Sequence, residues 1–134
     1  MLRSIASWTF LLVGMVIGLG AFGHDSNAAK VAAELAKYPA LDAGVATIVI
    51  AVWHFCSGCM LAFGAICAWL WWRARRDGQA AFFASDVIGA LYAIAGLYTV
   101  WYTGRTFFWL FFVLGALLIA SSLPLRLAVR NVAR

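Results

Sequence analysis

The chain has 134 residues, of which 66% are hydrophobic and 16% aromatic, while only 11% are charged and the formal net charge is +5. A soluble domain of ordinary composition carries about a quarter charged residues, so the balance excludes that class and leaves a membrane protein. It also excludes a nucleic-acid partner, because the arginines stand at the ends of apolar runs and no soluble surface is left to present them as a groove.

An apolar run of about 18 or more residues crosses roughly 30 Å of hydrocarbon as a helix. Four such runs occur, at 5–23, 43–72, 86–104 and 106–125. No apolar and polar alternation suggests a barrel, and a helix satisfies its own backbone in lipid. The expected fold is all-α: four transmembrane helices in an up-down-up-down bundle, one domain over 1–134, with a short amphipathic surface helix between helices 1 and 2.

The first run follows Arg3 and ends in Ala21-Phe22-Gly23, which imitates a secretory signal. It is longer than the roughly 7–15 residue core of such a signal, and Gly14 with Gly18 forms a GxxxG spacing suited to close helix packing, so the run is expected to be retained as a span. Next comes the only substantial loop. Asp25 or Ser26 is expected to cap a helix within 26–38, where Val31 and Leu35 share one face and Lys30, Glu34 and Lys37 another, before a return at Tyr38-Pro39.

The second run ends at Trp69, Trp71 and Trp72, an interfacial belt, followed by Arg73, Arg75 and Arg76. If the spans alternate, those arginines join Arg3, Arg126, Arg130 and Arg134 on one side, leaving Lys30, Lys37 and Arg105 on the other. The positive-inside rule then makes both termini cytoplasmic, in what is expected to be a bacterial inner membrane, with the basic side facing anionic lipid. Asp86 opens the third run beside Ser85, where a carboxylate suits a helix N-terminus. The fourth run contains Phe107 to Phe112, aromatic around the whole circumference, as suits a helix packed against lipid on one side and a partner subunit or second copy on the other.

Depth then brings residues together. At about 1.5 Å per residue His24 lies roughly 31 Å above Arg3 and His54 roughly 28 Å above Arg73, so both imidazoles reach the outer boundary. Tyr98, Trp101, Tyr102 and Arg105 share a stripe that reaches the same layer. The expected pocket holds His24, Asp25, His54, Tyr98, Tyr102 and Arg105. Two neutral imidazoles on different helices are the minimum for bis-histidine haem or a copper, iron or zinc site, with Asp25 as a further ligand or orienting partner. A quinone also suits it, because His and Tyr can bond quinone oxygens while Phe22, Trp53, Phe55 and Trp101 offer flat walls. The plain alternative is that these residues are interface anchors.

A rival lies one turn further along the second run, in Cys56-Ser57-Gly58-Cys59. A CxxC in a four-span chain resembles the vitamin K epoxide reductase family of quinone-linked membrane oxidoreductases that make disulfides. The resemblance covers one motif and a topology, and it implies redox-active thiols at Cys56 and Cys59. The chain departs from that family in having one further cysteine, Cys67, roughly 16 Å deeper on the same helix, and no second pair to relay electrons. Cys56 and Cys59 lie about 200° and 140° around the helix from His54, so histidine and cysteine sites exclude each other, whereas Ser57 and Gly58 share the face of His54, which is expected to look into the bundle. No central carboxylate suits an ion antiporter, and nucleotide-binding and hydrolase signatures are absent. The sequence therefore points to a non-enzymatic accessory or binding subunit that holds a metal, haem or quinone within a larger membrane complex or homo-oligomer. The alternatives are a thiol or quinone oxidoreductase and a purely structural assembly subunit.

Overall fold

The protein is described by a computed structural model over residues 2–76 and 81–132, with side chains from Ser4 to Arg126 within that range. The expected turn over 73–79 falls partly outside the described residues, as do Arg134 and the side chains of Arg3 and Arg130. The elements are α1 (Leu2–Asp25), α2 (Ala28–Leu35), α3 (Ala43–Arg76), α4 (Phe83–Thr103), a 3-10 turn (Thr106–Phe108) and α5 (Trp109–Val132). No strand occurs among the described residues. The four long helices, α5 taken with its preceding turn, are long and apolar enough to cross a membrane.

Local chemistry sets the helix ends. At the end of α1 the Ser26 hydroxyl and the Asn27 side-chain amide both donate to the Gly23 carbonyl, at 2.9 and 2.7 Å. Ser26 and Asp25 are therefore not the cap of α2: that helix starts after Asn27 without a side-chain cap, because the nearby polar groups close α1 instead. Asp42 opens α3 by accepting from the backbone N–H groups of Gly44 at 2.8 Å and Val45 at 3.2 Å. α4 ends at Gly104, whose φ of 67° allows its N–H to reach the Val100 carbonyl at 2.8 Å. Asp86 does not cap α4, which begins at Phe83, although it is placed at that helix's N-terminus as expected. It sits in the first turn and pairs with Arg126 of α5, while the Ser122 hydroxyl donates to it at 3.0 Å.

The helices form two close pairs, α1 with α3 and α4 with α5. In the first, Gly14 faces Cys67, Gly18 faces Gly64 and His24 meets Ser57, a descending register that makes the pair antiparallel. A Cβ on Gly64 would lie 2.5 Å from the Gly18 Cα, so the backbones touch and neither position has room for a side chain. In the second, Gly89 lies against Ile119 and Gly96 against Phe112, again antiparallel. α1 also packs on α5 and joins the pairs, whereas α3 touches α4 only slightly.

Packing differs along the long axis. Toward the end that carries Arg73 and Arg126, large side chains from all four helices interlock: Phe10, Val13, Cys67, Leu70, Phe82, Ile88, Leu118 and Leu125 are buried, and Phe10 meets Phe82 edge-on with centroids 5.4 Å apart. Toward the end that carries His24, the buried residues are mostly small, among them Ala21, Ser57, Gly64 and Gly96. Each pair stays tight there, but the space between the pairs is not filled. α2 lies over α3 at this end with no buried residue.

Candidate ligand site

The last turn of α1 delivers His24 and Asp25 to the outer part of α3. His24 Nδ1 lies 2.9 Å from the Ser57 hydroxyl, and its ring stacks on Trp53 with centroids 4.0 Å apart and planes 14° from parallel. Trp53 Nε1 in turn donates to the His24 backbone carbonyl at 2.8 Å. One indole therefore holds both the backbone and the ring of this residue. His54 Nδ1 lies 2.7 Å from Asp25 Oδ1 in a half-exposed pair.

These bonds decide which nitrogen faces outward. The Ser57 hydroxyl lies 3.2 Å from the Trp53 carbonyl and donates to it. Its contact with the imidazole engages His24 Nδ1 and leaves Nε2 as the open ring nitrogen. The Asp25 carboxylate accepts from His54 Nδ1–H by the same logic, leaving the His54 Nε2 open.

Between the two helix pairs lies a cavity of about 600 Å³. α1 contributes Val16, Ile17, Gly20, Gly23 and His24, and α3 contributes Trp53 and Met60. Tyr92 comes from α4, and residues from Phe107 to Leu114 form the opposite wall. Its polar side chains His24, Asn27 and Arg105 all belong to the end of the helices that carries His24. At the far wall stands Tyr92, itself 6% exposed, whose hydroxyl is buried without a hydrogen-bond partner. A depth of about 16 Å separates Asn27 from Val16 along α1. The site is thus an apolar slot with its polar side chains at one end.

The expected pocket is assembled only in part. His24, Asp25 and His54 come together at one level, and Arg105 reaches the cavity that His24 lines. Tyr98 and Tyr102 do not: both are exposed and stack on each other, with centroids 6.0 Å apart. Their stripe faces away from the cavity because Gly89 and Gly96 turn the opposite side of α4 toward α5. His54 is exposed at the rim of α1 and α3 and is not a wall of the cavity, since Ser57 occupies the face that meets α1. Gly58 has no neighbour within 4 Å of a Cβ position, so no helix approaches it. Of the four expected aromatic walls Trp53 alone lines the cavity, while Phe22, Phe55 and Trp101 point outward.

Among the described residues no three His, Cys, Asp or Glu side chains are placed to share a metal ion. The cysteines are free: Cys56 is exposed, Cys59 half-buried and Cys67 buried against Gly14. None of them lines the cavity. Sequence reasoning missed Tyr92 and Asn27 as wall residues and Ser57 as the partner of His24. The signal for Tyr92 was a hydroxyl in the middle of an apolar span, where an unpaired polar group is costly. Comparison of the chain with protein-family models, with curated proteins and with solved structures finds no match.

Proposed function

We propose that this chain is a small binding subunit of a membrane complex, and that its ligand is a prenylated quinone held between the two helix pairs. The observation that carries the reading is the slot itself: about 600 Å³, apolar along its length, with His24, Asn27 and Arg105 at one rim. That size falls within the roughly 300–1,000 Å³ usual for small-molecule sites. Quinone oxygens accept hydrogen bonds, and the rim offers the guanidinium of Arg105 and the amide of Asn27 as donors. The Trp53 ring supplies a flat wall for the head, and Val16, Ile17 and Leu114 suit an isoprenoid tail.

The setting we propose is an up-down-up-down four-helix bundle in a bacterial inner membrane with cytoplasmic termini. The antiparallel register of both pairs supports the bundle, and the arginine excess at the end opposite His24 supports the orientation. The slot then opens in the outer leaflet. α3 is the least covered of the four spans, which supports a neighbouring subunit on its free side.

The test is extraction of the gently solubilised protein followed by quantitation of bound quinone, with a visible spectrum and metal analysis of the same sample. Wild type should retain roughly one quinone per chain, and His24→Ala and Gly20→Leu should retain at least fivefold less. A quinone-free wild type, or equal retention in both variants, overturns the proposal. A Soret band or stoichiometric metal lost in His24→Ala and His54→Ala would replace it with the histidine-ligated alternative.

A further inference from the structure

At the end opposite the slot, the indoles and arginines of α1 and α3 are organised as a set rather than scattered. Trp71 Nε1 donates to the Ser7 hydroxyl at 3.0 Å, which fixes the indole across the α1–α3 seam. Trp8 lies against it with centroids 5.4 Å apart. The Arg75 guanidinium then sits over both rings, 5.5 Å from the Trp8 centroid and 5.0 Å from that of Trp71. The neighbouring Arg76 lies 5.0 Å over Trp72, and Arg73 lies 5.6 Å over Trp69.

Stacking uses the face of a guanidinium and leaves its N–H edge in the plane of the group. That edge is the fork that matches two oxygens of one phosphate. Arg75 is exposed, and so are Trp8 and Trp72 beside it. The indoles mark the level at which a helix leaves the hydrocarbon, which is also the level of lipid phosphates.

We propose that Arg75, held against Trp8 and Trp71, is the centre of a binding site for the headgroup of an anionic phospholipid. Charge complementarity selects this occupant: the exposed Arg75 presents a cation at the end of the helices where the sequence gathers most of its arginines. The indoles orient the guanidinium beforehand, so less freedom is lost when a phosphate arrives. Acyl chains can then run along the exposed apolar side chains beside it, Trp8 and, one turn further along α1, Leu12. The site is independent of the quinone slot, which lies at the other end of the same helices.

Native mass spectrometry of the full chain in micelles doped with phosphatidylglycerol, or with phosphatidylcholine of identical acyl chains, tests this directly. Wild type should bind phosphatidylglycerol at least fivefold more tightly, with the preference shrinking as salt rises. Arg75→Gln should abolish the preference, and Arg75→Lys should remove most of it, because the charge stays while the stacked fork is lost. An unchanged circular-dichroism melt of both variants establishes that folding is not the cause. No headgroup preference in wild type, or full retention in Arg75→Lys, overturns the proposal, the latter by showing that plain surface charge is enough.

Discussion

The two ends of this molecule solve the same packing problem in opposite ways. At the arginine end, large side chains from four helices close on each other and the Asp86–Ser122–Arg126 group ties α4 to α5. At the histidine end, small residues let each helix pair close on itself, and the pairs stand apart around a cavity. Stability is therefore concentrated where the core is, and room for a ligand where it is not. The difference predicts that substitutions at matching depths in the two halves will separate into those that unfold the protein and those that empty it of ligand.

The largest loss of stability is expected where the pairing itself is broken. Gly64→Leu places a side chain where the Gly18 backbone stands 2.5 Å from the first added carbon. Backbone cannot yield as a flexible side chain does, so the cost is about 3 kcal/mol or more, read as a lower unfolding midpoint in mixed micelles. Gly58→Leu, six residues away on an open face of α3, should be silent in the same assay. Equal effects at the two glycines would mean that α1 and α3 do not pack in this register.

Second in size is Asp86→Asn. The change removes the charge that answers Arg126 while sparing the Ser122 contact, and Arg126 Nε is already buried without a partner. Loss of a charge-assisted bond in a partly buried site costs about 2 kcal/mol. Quinone retention should be untouched, since no member of this group lines the cavity. Reduced retention at normal stability would place the ligand at the wrong end.

How much of this was legible in the sequence depends on the range of the interaction. Hydropathy is a local property, so the four long apolar helices and the short helix between the first two could be read directly. The Gly14 and Gly18 spacing could be read too, because a small-residue stripe has one physical use in a helix pair. Depth counting placed His24 and His54 at one level for the same reason: rise per residue is constant. It could not say which way a side chain turns. Tyr98 and Tyr102 share a face by periodicity, but Gly89 and Gly96 decide that the face points outward. Likewise Asp25 and Asp86 were read as caps because only neighbours in sequence were visible, whereas their partners, His54 and Arg126, lie 29 and 40 positions away. The cavity was illegible throughout, since it arises from the volumes of side chains on four helices at once.

Ser57→Ala sharpens the comparison at the histidine end. It removes the contact that holds His24 Nδ1 and costs about 1 kcal/mol in stability, less than either change above. The freed imidazole is no longer held in one orientation at the rim, so quinone retention should fall several-fold although the cavity volume is unchanged. Unaltered retention would reduce His24 to a filler of the rim.

Among the changes at the cavity, Gly20→Leu should affect stability least, and it carries the comparison furthest. An added Cβ meets only the Met60 Cε, at 3.1 Å, the far end of a flexible side chain that can move aside. The leucine then fills part of the slot with apolar volume. Replacing glycine inside a helix also restrains the unfolded chain, so the unfolding midpoint should stay within about 0.5 kcal/mol of wild type or rise slightly. A cavity that is a mere packing defect would show that gain and nothing else. A cavity kept open for a ligand shows the gain together with the loss of bound quinone, because space that lowers stability persists when something other than the chain is meant to occupy it. A Gly20→Leu protein that unfolds as readily as Gly64→Leu would erase the distinction between the two ends.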